Sequence, residues 1–122
     1  MSKKNETLVI GASLKPNRYS NIAIKRLRDN NQTTKAIGLR AGEVEGVIIE
    51  TSLKGFKNID TVTLYLNPKR QVDYYDYIIG LQPRRVIFNP GTENPDFYKM
   101  LRNNGIEVEV ACTLVLLSTN QY

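Results

Sequence analysis

The segment that most constrains the fold runs from Thr7 to Asn21 and reads TLVIGASLKPNRYSN. After its first residue it is continuously apolar up to Gly11, as expected for a strand covered on both faces. A polar loop with two cations follows, and Ser20 then provides a helix-start signal. Free backbone N–H groups and the positive end of a helix converge in such a connection. The segment therefore predicts an anion-binding loop of the kind that holds nucleotide phosphates.

Length and composition indicate one globular domain with anionic partners. The chain has 122 residues, of which 41% are hydrophobic and 24% charged, and this suffices for a single core. A net charge of +5 favours nucleotides, nucleic acids or acidic metabolites. Because the chain has no histidine and one cysteine, we exclude His-based metal sites, His-based triads and internal disulfides. It shows neither a membrane-spanning run nor a secretory signal, so we expect a cytoplasmic protein without a membrane partner.

Strand and helix patterns alternate along the chain. The five strand candidates are residues 7–10, 35–39, 61–66, 86–89 and 107–112. Asn67-Pro68 and Asn94-Pro95 each place a capping side chain before a proline suited to the first helical turn. We predict a single Rossmann-like α/β domain with a mostly parallel five-stranded sheet, helices on both faces and hardly room for hairpins. Residues 1–6 are expected to be a flexible N-terminus, and residues 7–122 to form the domain.

Four loops lie where an open α/β sheet binds its ligand, beyond the carboxyl ends of the strands. They are residues 11–20, 38–42, 65–68 and 89–94. In the first loop Gly11 stands where the fingerprint G-x-G-x-x-G begins, but Ser13 and Pro16 replace its other two glycines. An ordinary NAD site is therefore disfavoured.

Cations in these loops favour a ligand with several phosphates. Arg40 follows the second strand, where NAD sites carry an acidic residue for the ribose. A cation there suits a phosphorylated ribose, which occurs in NADP and in coenzyme A. Lys15 and Arg18 in the first loop could meet a pyrophosphate.

The same residues also have purely structural interpretations. Gly11 could serve a tight turn alone, Ser20 could only cap a helix, and the cations could be solvated surface charges. Cys112 ends an apolar strand and has no helix N-terminus nearby, so we interpret it as a small buried hydrophobe. A row of three tyrosines, residues 74, 75 and 77, has helical spacing and favours packing over base stacking.

The motifs resemble those of a known family. They are GAS-x-KPNRYSN at residues 11–21, Ser52-Leu53, Asp60 before an apolar strand, NPG at residues 89–91, Gly105 and Cys112. This set resembles the small bacterial CoA-binding proteins and is similar to the CoA-binding domain of the succinyl-CoA synthetase alpha subunit. The resemblance extends from Thr7 to Leu117.

The resemblance implies a binding site for coenzyme A. The residues implied around the pyrophosphate are Gly11, Ala12, Ser13, Arg18, Ser20 and Asn21. Arg40 stands where the family often has lysine, near the phosphorylated ribose and the adenine. The residues implied on the adenine and pantetheine side are Tyr65, Leu66, Asn67 and Pro68. The chain departs from the family at residues 37–40, which read IGLR in place of VNPK, and at Asn89, which replaces a glutamine.

These observations lead to one main hypothesis and three alternatives. The main hypothesis is a non-catalytic module that binds coenzyme A or an acyl-CoA, with a protein partner or homo-oligomer left open. Ligase activity is excluded for this chain alone, because it lacks the phosphorylated histidine and the second domain of the ligase subunit. The alternatives are a small NADP-dependent reductase or NADP-binding protein with Arg40 on the 2′-phosphate, an interaction protein with a vestigial loop, and a nucleic-acid binder. Nucleic acid is the weakest option, because the basic residues form isolated pairs.

Overall fold

The computed structural model describes residues 4–122 and shows strands and helices in alternation. The strands are β1 Glu6–Ala12, β2 Thr34–Gly38, β3 Gly42–Val44, β4 Val47–Glu50, β5 Ile59–Leu64, β6 Arg85–Phe88 and β7 Glu107–Val110. The helices are α1 Tyr19–Asp29, α2 Pro68–Gln71, α3 Tyr75–Leu81, α4 Pro95–Asn103 and α5 Thr113–Ser118, with a 3-10 turn Val72–Tyr74 between α2 and α3. Of the predicted flexible N-terminus, residues 1–3 lie outside the described residues, and β1 begins at Glu6.

All seven strands join one sheet in the order β3-β4-β2-β1-β5-β6-β7. Every neighbouring pair is parallel except β3 and β4. The chain leaves β1 toward β2 on one side and later returns to β5 on the other, so the winding reverses at β1. Ligand crevices form at such a switch point, beyond the carboxyl ends of the strands. The predicted Rossmann-like, mostly parallel α/β domain is confirmed.

The predicted strand number of five is wrong, because β3 and β4 form a hairpin that the pattern did not indicate. Glu45 and Gly46 connect the two strands with φ angles of 49° and 79°. Positive φ at both central residues is typical of the tight turn that joins antiparallel strands. The first strand of the hairpin has only three residues, Gly-Glu-Val, which is too short for a recognisable alternation. Residues 41–46, which read AGEVEG, therefore belong to an antiparallel hairpin at the edge of the sheet.

Apolar layers cover both faces of the sheet, as predicted. Alternate residues of a strand point to opposite faces, and β1 supplies Leu8 and Ile10 to one layer and Val9 to the other. The first layer includes Ile78 of α3 together with Phe97 and Leu101 of α4. The second layer includes Ile24 and Leu27 of α1 and Leu117 of α5. Thus α1 and α3 pack on opposite faces.

Helix boundaries agree with the sequence at two of the predicted starts. Asn67 and Asn94 are N-cap residues, their side chains accept hydrogen bonds from Arg70 N and Phe97 N, and a proline follows each. The predicted end of the last strand is wrong, because β7 stops at Val110. Cys112 is instead the N-cap residue of α5, so a helix N-terminus lies directly beside it. Within residues 4–122, no helix combines the length and apolar character needed to cross a membrane.

Candidate functional site

A cleft of about 1070 Å³ opens at the carboxyl edge of the sheet, around the switch point at β1. Most of its lining comes from the loops after β1, β2, β5 and β6, and these are the four loops that the sequence predicted. The cleft includes ten of the twelve predicted site residues: Gly11, Ala12, Ser13, Lys15, Arg18, Ser20, Arg40, Tyr65, Leu66 and Asn67. Loops that are far apart in sequence therefore share one surface.

The other two predicted residues lie beside the cleft. Asn21 is buried in the first turns of α1, and its Nδ2 donates a hydrogen bond to the carbonyl oxygen of Ser13 at 2.9 Å. It therefore holds the loop after β1 in place. Pro68 is the first residue of α2 and follows the N-cap Asn67.

Ten further lining residues were not among the predicted site residues. They are Leu14, Pro16, Tyr19, Gly38, Leu39, Arg70, Tyr74, Pro90, Gly91 and Thr92. Eight of them lie in the four predicted loops, but Arg70 and Tyr74 follow the loop after β5. Tyr74 is one of the three tyrosines predicted to pack a helix on the sheet, and Arg70 belongs to an isolated basic pair with Lys69 that weighs against nucleic-acid binding. Their spacing of four residues on one helical face was the available signal.

The cleft floor is built by close main-chain approach at two glycines. Gly11 has a φ of +92°, and a Cβ there would lie 3.0 Å from both the carbonyl carbon and oxygen of Tyr65. A Cβ at Gly38 would lie 2.3 Å from the carbonyl oxygen of Ala12. Glycine is thus required where β1 meets its two neighbours. A side chain at Gly11 would press on the main chain of Tyr65, directly after β5. Gly11 is therefore required by the fold itself and does not only make room for a ligand.

Helix α1 begins at the cleft with no capping side chain. Arg18 is the N-cap residue and makes no capping hydrogen bond. The prediction that Ser20 caps this helix is wrong, because Ser20 lies one residue inside the helix and is buried. Backbone N–H groups in a first helical turn have no intrahelical acceptor, and together they carry a partial positive charge. Asn21 N donates to the carbonyl oxygen of Arg18 at 3.0 Å, so among the described residues the N–H groups of Tyr19 and Ser20 are those left to meet an anion.

The charged side chains of the cleft are all cationic. Lys15, Arg18, Arg40 and Arg70 line it, and no aspartate or glutamate does so among the described residues. Within residues 4–122, none of the four lies within 4.0 Å of a carboxylate. Clustered charges of one sign in a cleft raise the local concentration of ligands of the opposite sign. The cleft is suited to a multiply charged anion.

Buried amides connect the loops beneath the cleft. Gln71 is fully buried, and its Nε2 donates hydrogen bonds to the carbonyl oxygens of Leu66 at 2.9 Å and Thr92 at 2.8 Å. Asn89 is also buried, and its Nδ2 donates to Thr63 Oγ1 and to the carbonyl oxygen of Leu64. These amides fix the spacing between the ends of β5 and β6.

Tyr65 places its main chain at the cleft and its ring in the core layer beside α1. Its hydroxyl is buried and has no hydrogen-bond partner in the part of the chain that the structure describes. Burial raises the pKa of this phenol to about 12. The phenol therefore stays protonated at neutral pH.

Comparison with known proteins adds independent findings. A family model described as "CoA binding domain" matches residues 5–118. The structure is similar to the crystal structure of an uncharacterized protein, with a TM-score of 0.94 and 42% identity over 99% of this chain and 100% of that chain. No curated protein shows a match.

Two further solved structures have the same fold at lower identity. A hypothetical protein from Pyrococcus horikoshii OT3 is 26% identical, with a TM-score of 0.85 over 95% of this chain and 83% of that chain. The protein cell-free ID.343 from Thermus thermophilus is 24% identical, with a TM-score of 0.83 over 97% of this chain and 91% of that chain. The second likeness concerns the fold alone.

Proposed function

This chain belongs to the CoA-binding domain family, and from that premise we propose that it binds coenzyme A or an acyl-CoA as a non-catalytic module. The observation that carries the proposal is the cleft at the uncapped start of α1, to which four cations and no carboxylate contribute among the described residues. Coenzyme A brings roughly four negative charges on its diphosphate and ribose phosphate, which cations and a helix N-terminus offset. The ligand-binding unit comprises residues 7–122.

The loop after β1 would hold the diphosphate. Its backbone N–H groups and the first turn of α1 offer donors, and Lys15 and Arg18 supply charge from the same loop. Arginine can form paired hydrogen bonds with a phosphate. Asn21 would act indirectly, by holding the carbonyl of Ser13.

The two flanks of the cleft would hold the two ends of the ligand. Arg40 follows β2 and would meet the phosphate on the ribose, next to the adenine. The loop from Tyr65 to Asn67 follows β5 on the opposite side of β1 and would face the pantetheine arm.

The same residues support binding without catalysis. Ser20 is buried in the first turn of α1, and the chain has no histidine to activate it. Burial raises the pKa of Tyr65 to about 12, so its phenol is protonated and does not serve as a base at neutral pH. Such a module would sense its ligand or present it to a protein partner or a second copy.

Isothermal titration with coenzyme A, NADP and ADP tests the proposal. We expect coenzyme A to bind more tightly than the other two ligands. A preference for NADP would instead indicate a reductase, and no binding of any of the three would indicate a vestigial cleft.

Arg40→Gln tests the assignment of the ribose phosphate. The substitution should weaken coenzyme A by about 1.5 to 3 kcal/mol, since it removes a charged hydrogen bond, and should affect dephospho-CoA much less. Lys99→Gln is the matched control, because it removes an exposed cation of α4 that does not line the cleft. Titration calorimetry gives both affinities, and an equal loss for both ligands would remove Arg40 from the ribose phosphate.

A further inference from the structure

We infer that Arg70 is a second diphosphate-binding residue, which contacts the diphosphate from the side of the cleft opposite Arg18. The inference rests on the proposed function, because it concerns the same ligand. It adds a residue of α2, outside the loop after β1 and outside the residues to which the motifs assign a role.

Arg70 has the position and the free charge that this role needs. Its side chain is exposed, lines the cleft and has no carboxylate within 4.0 Å among residues 4–122. Its own backbone N–H donates to Asn67 Oδ1 at 2.9 Å, so the turn that carries it is closed. The neighbouring Lys69 is also exposed but does not line the cleft.

The carboxyl ends of β1 and β5 touch at the cleft floor, so the segments that follow them and carry Arg18 and Arg70 start side by side. Tyr65 N donates a hydrogen bond to the carbonyl oxygen of Ile10 at 2.9 Å, and the main chain of Tyr65 contacts Gly11. A diphosphate above residues 11–13 therefore lies between two walls. One wall begins with Arg18 and α1, and the other is formed by Asn67 and α2.

The helices that follow the two arginines pack on opposite faces of the sheet. Arg18 leads into α1, which packs on one core layer, whereas α2 leads into α3, which packs on the other layer. Guanidinium groups on opposite sides of a diphosphate can each pair with different oxygens. The arrangement brackets the anion between them.

The base of the Arg70 side chain is fixed by its neighbour. Gln71 is fully buried and bonded to the loops after β5 and β6 through the carbonyl oxygens of Leu66 and Thr92. A binding group attached to a fixed main chain loses less freedom when it orders on a ligand. Arg70 is thus carried by a rigid part of the cleft.

Arg70 and Arg40 should recognise different phosphates. Arg40 follows β2 and Arg70 follows β5, and β1 lies between these two strands in the sheet. The diphosphate is common to coenzyme A, dephospho-CoA and ADP, whereas the ribose 3′-phosphate occurs only in coenzyme A. The two arginines can therefore be separated by ligand.

The test is titration calorimetry of Arg70→Gln with coenzyme A, dephospho-CoA and ADP. We expect a loss of about 10- to 100-fold in affinity for all three ligands, because each contains the diphosphate. Arg70→Lys should recover part of the loss, since it keeps the charge but not the paired geometry. Lys69→Gln is the control and should leave all three affinities unchanged. Thermal unfolding of each variant checks that the fold is intact.

Three results would overturn the inference. One is unchanged affinity of Arg70→Gln for all three ligands while the wild-type protein binds coenzyme A, which leaves the proposed function standing. Another is a loss confined to coenzyme A, which places Arg70 on the ribose phosphate. The third is a wild-type protein that binds none of the ligands, and in that case the proposed function fails as well.

Discussion

Gly11 is the residue on which the shape of the cleft floor most depends. Its φ of +92° is unfavourable for any residue with a Cβ, and that Cβ would lie 3.0 Å from the main chain of Tyr65. Gly11→Ala should therefore lower the free energy of unfolding by about 1 to 3 kcal/mol. Urea denaturation measures the loss.

Gly80→Ala is the matched control for this prediction. Gly80 lies in α3, and a Cβ there would have no heavy atom within 4 Å. Alanine is favoured over glycine inside a helix, so this variant should be as stable as the wild type or more stable by about 0.5 to 1 kcal/mol. Equal stability of Gly11→Ala and Gly80→Ala would show that the approach of Tyr65 is not tight.

Residue types predicted the lining of the cleft better than they predicted individual roles. Glycine, serine and cations after an apolar strand pointed to the loop that the cleft uses. The predicted capping role of Ser20 was wrong because serine is favoured both before a helix and in its first turn. Only the backbone conformation distinguishes the two positions. Arg70 was not predicted as a site residue, because its spacing of four residues from Tyr74 indicates a shared helical face but does not show that this face borders the cleft.

At the scale of elements, Gln71 joins the end of β5 to the start of α4. Gln71→Leu would leave the buried carbonyl oxygens of Leu66 and Thr92 without this donor, and Asn94 would lose an acceptor for its Nδ2. We expect the free energy of unfolding to fall by about 2 kcal/mol or more. Affinity for coenzyme A should fall as well. Urea denaturation and calorimetry measure the two effects.

Gln121→Leu provides the control for the buried amide. Gln121 is exposed, so the loss of its amide removes little that water cannot replace. If Gln71→Leu were no less stable than Gln121→Leu, the bridge between the loops after β5 and β6 would contribute nothing to the fold.

An ion pair at the amino ends of β5 and β6, opposite the cleft, stabilises the fold in a pH-dependent way. Arg84 donates to both oxygens of Asp60, at 2.9 and 3.0 Å, where β5 and β6 begin. Partial burial raises the pKa of Asp60, but hydrogen bonds from Arg84 and Thr61 outweigh it, so the pKa lies below its usual value of 3.8. The stabilisation is therefore present above the unfolded pKa and is lost as the pH falls through the folded pKa.

Asp60→Asn should remove this contribution. At pH 7 the variant should be less stable than the wild type, by less than about 1 kcal/mol because the pair is partly exposed. The two stabilities should converge only below the folded pKa of Asp60, which lies below 3.8. Urea denaturation at pH values from 7 down to below the folded pKa measures the difference in stability. A difference that persists at the lowest pH would come from altered packing and not from the ion pair.

The alternation of elements was predictable because each strand and helix has a local pattern. Asn67-Pro68 and Asn94-Pro95 marked two helix starts correctly, since a cap followed by proline is a local signal. The hairpin of β3 and β4 was missed because three residues carry no periodicity. Helix α5 was missed because the apolar run at its start reads equally as strand.

At the scale of the whole molecule, ligand binding should appear as stability. A ligand that binds only the folded state at 100 times its dissociation constant adds about 2.7 kcal/mol, which corresponds to a rise in Tm of about 10 °C for a domain of this size. The gain with coenzyme A should shrink as NaCl is raised, because the four cleft cations are exposed to screening. Uncharged adenosine is the control, and any small gain it produces should not depend on salt. A salt-independent gain with coenzyme A would argue against electrostatic recognition.

The sequence alone determined the fold class, the loops that line the cleft and the positive charge of the ligand surface, because these follow from local patterns and composition. Only the tertiary structure decided that Arg70 belongs to the cleft, that Gly11 is constrained by Tyr65, and that the start of α1 has no cap. The first two features depend on the contact of β1 with β5, and the third depends on the backbone conformation at Arg18. Contacts between segments more than 50 residues apart leave no trace in local sequence.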